Sequence, residues 1–294
     1  MRIQITTKFR PFSHRPGIRS LIPYTTWEAQ VFPTKVFLRD LKNGKTKELT
    51  IAPSTKFTVM LDLEKGRLLV CGKELSLEKQ SLFPSKKRLY MGVHKKQDFE
   101  MIKRRSDMAE VFPLWLKLSQ LIPEVALPSK PIGTMQLLEE GRLEDFFQAG
   151  FQGLFCPRLK DENYLGLIPD FDPPNNLCPL GLLHEGARQI EELFFFADKN
   201  TWHFLPALPK EFHAGRFIHL ETLEGDELDI EWSKKQLKKV IIRPITSREI
   251  KLSLKKGLKT FRIRKSLRQS GELAKGAVSL KAGQTLYLDR FTRS

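Results

Sequence analysis

Apolar and polar residues alternate with a period of two over residues 35–39, 56–60 and 67–70, a pattern that predicts short strands with one buried face. Asn43-Gly44 and Lys65-Gly66 fall between apolar runs and read as turns. After Gly92 the spacing lengthens. Between residues 98 and 121, Phe99, Ile102, Met108, Val111, Phe112, Leu116 and Leu118 share one broad helical face, and Pro113 is expected to divide the segment into two helices. Further helices are predicted over 135–149 and 180–197, separated by a stretch rich in Gly and Pro that runs through Asn175-Asn176. From Trp202 the period returns to two, at 203–205, 228–232, 239–242, 250–255, 260–264 and 285–288, with glycines at 225, 257, 271, 276 and 283 between the runs. That is the spacing of a β-sandwich. The pattern therefore predicts an α+β multidomain chain: an N-terminal β domain (1–92), a short all-α middle region (93–200) and a C-terminal β-sandwich (201–294).

Charge changes this picture at one end. The chain has 294 residues and a net charge of +16. Residues 234–294 hold 18 Lys and Arg against three acids, Glu249, Glu272 and Asp289, a net of +15, while the first 233 residues carry +1. A surface of one sign attracts the other, so the expected partner is an anionic polymer, such as nucleic acid or a sulfated glycan, or an acidic protein. Alternation along the strands turns Ile250, Leu252, Leu254, Phe261 and Ile263 inward and Lys251, Lys255, Arg262 and Arg264 outward. These four are the candidate anion-binding residues. Few aromatic residues lie between the bases, so contact with nucleic acid is expected to be through the backbone and non-specific. Two short basic runs, 86–88 and 103–105, read as solvated faces.

Other classes are disfavoured. Three widely spaced cysteines, Cys71, Cys156 and Cys178, form no ligand pattern with the six histidines, so no metal is expected. No phosphate loop, zinc-protease helix or nucleophile elbow occurs, and no cofactor is expected. No run approaches the roughly 18 apolar residues of a membrane span, and the basic start lacks the apolar core of a secretory signal. A cytoplasmic location is expected, with delivery into a host cell by a signal-independent route as the alternative. The Lys-rich and Phe-rich composition resembles that of chlamydial proteins.

The segment from His203 through Leu205-Pro206-Ala207-Leu208-Pro209 and Phe212-His213-Ala214-Gly215 to Asp229-Ile230-Glu231-Trp232 resembles the barrel-to-sandwich connector and C-terminal β domain of glycoside hydrolase family 95, the inverting α-L-fucosidases. Lys281-Ala282-Gly283-Gln284 is similar to the turn that closes that domain. The resemblance covers the C-terminal third. Phe212 stands where the family has Trp. By itself the Leu-Pro-Ala-Leu-Pro segment reads as an extended link, because Pro206 and Pro209 block helix continuation. In the family, the resemblance implies, an Asp eleven residues before a Glu serves inverting hydrolysis inside a six-hairpin helical barrel, an arrangement that leaves room for water between opposed groups. Here Gly181 stands eleven residues before Glu192, and the middle region is too short for six hairpins. No catalytic residue carries over.

Asp170, Asp172, Asn175 and Asn176 cluster among prolines ahead of a predicted helix that carries His184-Glu185. Asp170, Asp172, Asn176 and Glu185 are the weak catalytic candidates, as a polar loop that binds sugar hydroxyls or activates water. Asx turns and helix capping account for the same loop, and the sequence favours that reading. Adjacent helical positions diverge by about 100°, so His184 and Glu185 make a poor acid–base pair. The sequence thus predicts a glycoside-hydrolase-related binding module that has lost the catalytic barrel. An active carbohydrate hydrolase with a reduced site is one alternative, and an effector acting on host nucleic acid or acidic proteins is another.

Overall fold

Alternation became strands wherever one face had an apolar layer to meet. The structure, a computed structural model, describes residues 4–5, 10–82, 85–91, 97–98, 108–125, 136–150, 178, 180–209, 212–255 and 257–293. Two compact units are formed, residues 1–84 with 94–187 and residues 85–93 with 188–294. This differs from three consecutive domains. Residues 85–93 join the C-terminal unit because the strand Arg88–Tyr90 pairs antiparallel with Ala214–Glu221.

In the first unit, a four-stranded antiparallel sheet runs Ile18–Leu21, Trp27–Val31, Lys35–Asp40, Thr46–Thr50, and a six-stranded sheet is centred on Phe12–Ser13, Val59–Asp62 and Arg67–Val70. Val36, Leu38, Val59, Leu61 and Leu68 are all buried, as the period-two pattern requires. The helix Met108–Ser119 runs unbroken through Pro113. A proline inside a helix removes one hydrogen bond and costs about 3 kcal/mol; burial of Val111, Phe112, Leu114, Trp115, Leu116 and Leu118 offsets it. Asp98, expected in that helix, lies instead in the strand Gln97–Asp98. The single helix expected over 135–149 is two, Gln136–Glu139 and Leu143–Gly150. Gly141 separates them in the left-handed region (φ 69°), with Arg142 N–H donating to the Leu137 carbonyl at 2.8 Å.

Trp115 packs against Phe146 and Phe147 with ring centroids 5.4 and 5.0 Å away, and its indole N–H donates to the Leu183 carbonyl at 3.1 Å. A side chain at Gly186 would meet that indole at 2.6 Å, which explains a glycine inside a helix. Cys71 and Cys178 are free thiols, and burial pushes the Cys178 thiol up, away from the reactive thiolate. Among the described residues no helix is long and apolar enough to cross a membrane.

The helix Leu180–Phe194 ends three residues earlier than expected. Phe195–Asp198 is already a strand, paired with Thr201–Phe204 around a tight turn in which Lys199 takes φ 48°. The C-terminal unit is β-rich and built from two sheets. The larger runs Arg88–Tyr90, Ala214–Glu221, Glu227–Ser233, Gln236–Arg243, Leu286–Thr292, Thr260–Arg264, Glu272–Ala274, and the smaller Phe195–Asp198, Thr201–Phe204, Arg248–Ser253, Ala277–Leu280. The Leu-Pro-Ala-Leu-Pro link is not extended throughout: Leu205 is fully buried at φ 53°, donates its N–H to the Phe194 carbonyl at 2.8 Å, and leads into a turn at Pro206-Ala207.

Candidate anion-contact surface

In the larger sheet, Leu228, Ile230, Trp232, Val240, Ile242, Leu286 and Leu288 turn one face to the core. The opposite face is crossed by a row of side chains in register: Tyr90, Arg216, Glu231, Lys239, Asp289, Arg262, Leu273. Five consecutive positions of this row alternate in charge, beginning and ending with a base. Facing residues of opposite sign stabilise a sheet by a few tenths of a kcal/mol to about 1 kcal/mol per pair. Arg216 also sits over the Tyr90 ring at 4.6 Å.

The four candidate anion-binding residues do not share a face. Lys251 and Lys255 belong to and follow the strand Arg248–Ser253 of the smaller sheet, and both are exposed. Arg262 and Arg264 lie in the larger sheet, and both serve Asp289. Arg262 binds it in bidentate fashion, Nε to Oδ1 at 2.7 Å and Nη2 to Oδ2 at 2.9 Å, while Arg264 Nη2 donates to Oδ2 and its Nη1 to the Leu267 carbonyl at 2.8 Å. Only 19% and 13% of these two side chains remain exposed, so the guanidiniums are directed into the domain's own network rather than to an open face.

Two further arginines are used the same way. Arg243 donates to Glu227 at 2.7 Å and to Asp229 at 2.6 Å. Arg248 donates to the fully buried Asp226. A charge count over residues 234–294 alone does not reveal this network, because Asp226, Glu227 and Asp229 precede that segment. Glu227, Asp229 and Glu231 alternate with Leu228, Ile230 and Trp232, a signal that places three carboxylates on one face of a strand next to the basic ones.

His219 joins Glu227 and Asp229 at a bulge, where the register between Ala214–Glu221 and Glu227–Ser233 shifts and His219 adopts φ 56°. One ligand atom from each of the three lies within 4.8 Å of the others. His219 Nδ1 is 3.0 Å from Glu227 Oε1, in a geometry that makes no hydrogen bond, while the His219 backbone N–H donates to Asp229 at 2.9 Å. Arg243 supplies the positive charge that both carboxylates need, which fits an ion-pair cluster closed by a guanidinium.

Burial pushes the Asp229 carboxyl up, but the hydrogen bonds from Arg243 and the His219 N–H and the nearby positive charge outweigh it, so its pKa lies below the ordinary value. Hydrogen bonds and charge from Arg262 and Arg264 likewise hold Asp289 low. A carboxylate with a depressed folded-state pKa adds stability that is present above its unfolded pKa, about 3.9, and is lost as pH falls through the folded value. Stability of the C-terminal unit is therefore expected to fall below about pH 4. Urea denaturation from pH 3 to 7 should show a flatter profile for Arg243→Gln than for the wild type; identical profiles would detach Asp229 from the acid transition.

The other candidates take no common place. Asp170, Asp172, Asn175 and Asn176 lie outside the described residues, as do Cys156 and residues 103–105. Glu185 is half-buried on the helix Leu180–Phe194 and already engaged. His184 Nε2–H donates to the Pro123 carbonyl at 2.9 Å, which removes that nitrogen from acid–base work. Lys87, of the first basic run, pairs with Glu191 at 3.1 Å; burial pushes the Glu191 carboxyl up and Lys87 opposes it.

Phe212 is a core residue, 1% exposed, stacked on Phe194 at 5.8 Å. Its carbonyl accepts the Trp232 indole N–H at 3.2 Å. Gly215 faces that indole across the sheet, where a side chain would meet the Tyr90 carbonyl oxygen at 2.5 Å. The motif residues 212, 215 and 232 are thus a packing unit. Residues 197–287 match the family model described as glycoside hydrolase family 95, C-terminal domain, the same stretch in which the sequence resemblance lies. No curated protein matches the chain.

Proposed function

We propose that the chain is a glycoside-hydrolase-related binding module whose C-terminal unit contacts an anionic partner through its exposed lysines. The observation that carries this reading is that four arginines are taken up inside the domain while a set of lysines stays exposed, together with Arg268, Arg290 and Arg293. Arg243, Arg248, Arg262 and Arg264 each bond a carboxylate of their own domain. Lys251, Lys255, Lys259, Lys265, Lys275 and Lys281 are exposed and, among the described residues, make no ion pair. An ammonium on a flexible stem makes a poor structural fork but a good mobile counter-charge, whereas a guanidinium suits fixed bidentate pairs.

The test is binding of the purified chain to labelled DNA and to a sulfated glycan across a salt series. Lys251→Glu/Lys255→Glu is expected to weaken binding to both and to flatten the dependence of log K on log salt. Absence of binding near 150 mM salt, or an undiminished affinity in the double variant, would remove this assignment.

A further inference from the structure

The outer face of the smaller sheet combines charge with an exposed ring. Phe196 is 36% exposed and lies parallel to His203, with ring centroids 4.2 Å apart and planes 8° from parallel. Register continues the row: Phe196 faces His203 and His203 faces Ser253. The buried side of the same strands, Phe195, Trp202, Phe204, Ile250 and Leu252, anchors the platform. Lysines surround its Ser253 end. Lys251 lies one row away, opposite Thr201 and Ala277, and Lys255 is exposed at a bend two residues past the strand. Lys275 lies in the turn just before Ala277, the residue opposite Lys251, and the Leu252 N–H to Gly276 carbonyl bond at 2.6 Å holds that turn against the strand. Asp198 and Glu249 are the acids on this face, in the Lys251 row and one row beyond it.

We propose that this face binds single-stranded nucleic acid, with a base stacked on Phe196 and phosphates at Lys251, Lys255 and Lys275. The inference rests on the anion-contact reading above and narrows it to one partner. A duplex hides its base faces and a sulfated glycan offers a ring only its C–H faces, so an unpaired strand is the polyanion that lays a π-face on the ring while its phosphates meet the charges. His203 covers one face of Phe196, and the exposed part of the ring is the stacking surface.

The test is fluorescence anisotropy of the full chain with a labelled mixed-sequence single strand, its duplex and a labelled sulfated glycan. The single strand is expected to bind more tightly than the duplex. Phe196→Ala should weaken single-strand binding roughly tenfold with little change in salt slope, and Phe196→Tyr should restore it. Lys251→Glu should lower the salt slope by about 0.7 per lost phosphate contact. Circular dichroism and thermal melting of Phe196→Ala separate loss of binding from loss of fold. If all three polymers bind equally and Phe196→Ala changes nothing while Lys251→Glu still weakens binding, the stacking inference is overturned and the anion reading stands. If none binds, both fall.

Discussion

Replacing Asp226 with alanine is expected to destabilise the C-terminal unit by about 3–5 kcal/mol, the range for removing one partner of a buried ion pair. Asp226 is fully buried. Its Oδ2 accepts from Arg248 and its Oδ1 from the Ile245 N–H at 2.8 Å, while its own N–H donates to Thr222 Oγ1 at 3.1 Å. One carboxylate thus ties the turn before Glu227–Ser233 to the crossover that carries the chain from Gln236–Arg243 in the larger sheet to Arg248–Ser253 in the smaller. Without it, Arg248, which also lies over the Trp202 ring at 5.9 Å, is left with the Thr246 hydroxyl and with Glu224 at 3.6 Å, and the Ile245 N–H loses its acceptor. Asp226→Asn should cost less, because the amide oxygen still serves the Ile245 N–H. Urea denaturation measures both; a loss under about 0.5 kcal/mol for the alanine variant, the size of an ordinary surface change, would show that Glu224 takes over.

Trp232→Ala is expected to cost a similar amount, about 3–5 kcal/mol, as for other buried aromatic truncations. Trp232 is 1% exposed, lies 5.0 Å from the Phe194 ring, and donates its indole N–H to the Phe212 carbonyl. Truncation leaves a cavity beside Gly215 and an unpaired carbonyl inside the core. Trp232→Phe should recover most of the packing and none of the hydrogen bond. Polyanion affinity, measured where the variants remain folded, should be unchanged. A drop in affinity with intact stability would make the Asp-x-x-Trp motif part of a binding surface and contradict its reading as packing.

Much of the C-terminal unit was legible because period-two alternation with an apolar core on one side leaves little freedom. Strands at 228–232, 239–242, 250–255 and 260–264 appear within a few residues of their predicted limits, and Ile250, Leu252 and Phe261 are buried as expected. Ala214–Glu221 was not anticipated. Its bulge at His219 interrupts the alternation, so the strand carries no clean pattern. The end of the helix Leu180–Phe194 was misplaced for a different reason. Phe194, Phe195 and Phe196 fit either period, and pairing with Thr201–Phe204, a contact not written locally, decides for strand.

The chain by itself determined its β-rich ends, the family resemblance of its C-terminal third and the sign of the charge that third carries, since alternation, motif spacing and the count of ionisable groups are properties of the sequence alone. Which charges stay open to solvent was settled only by tertiary structure. Residues 188–233 contain ten acids and four bases, and strand order places three of those acids, Asp226, Glu227 and Asp229, against Arg243 and Arg248. Asp289 takes up Arg262 and Arg264 in the same way. Coulomb attraction acts between neighbours in space, and sheet register makes neighbours of residues far apart in sequence. A segment that counts as +15 therefore folds into a domain in which four arginines are satisfied from within, while Arg268, Arg290, Arg293 and many of the lysines remain outside.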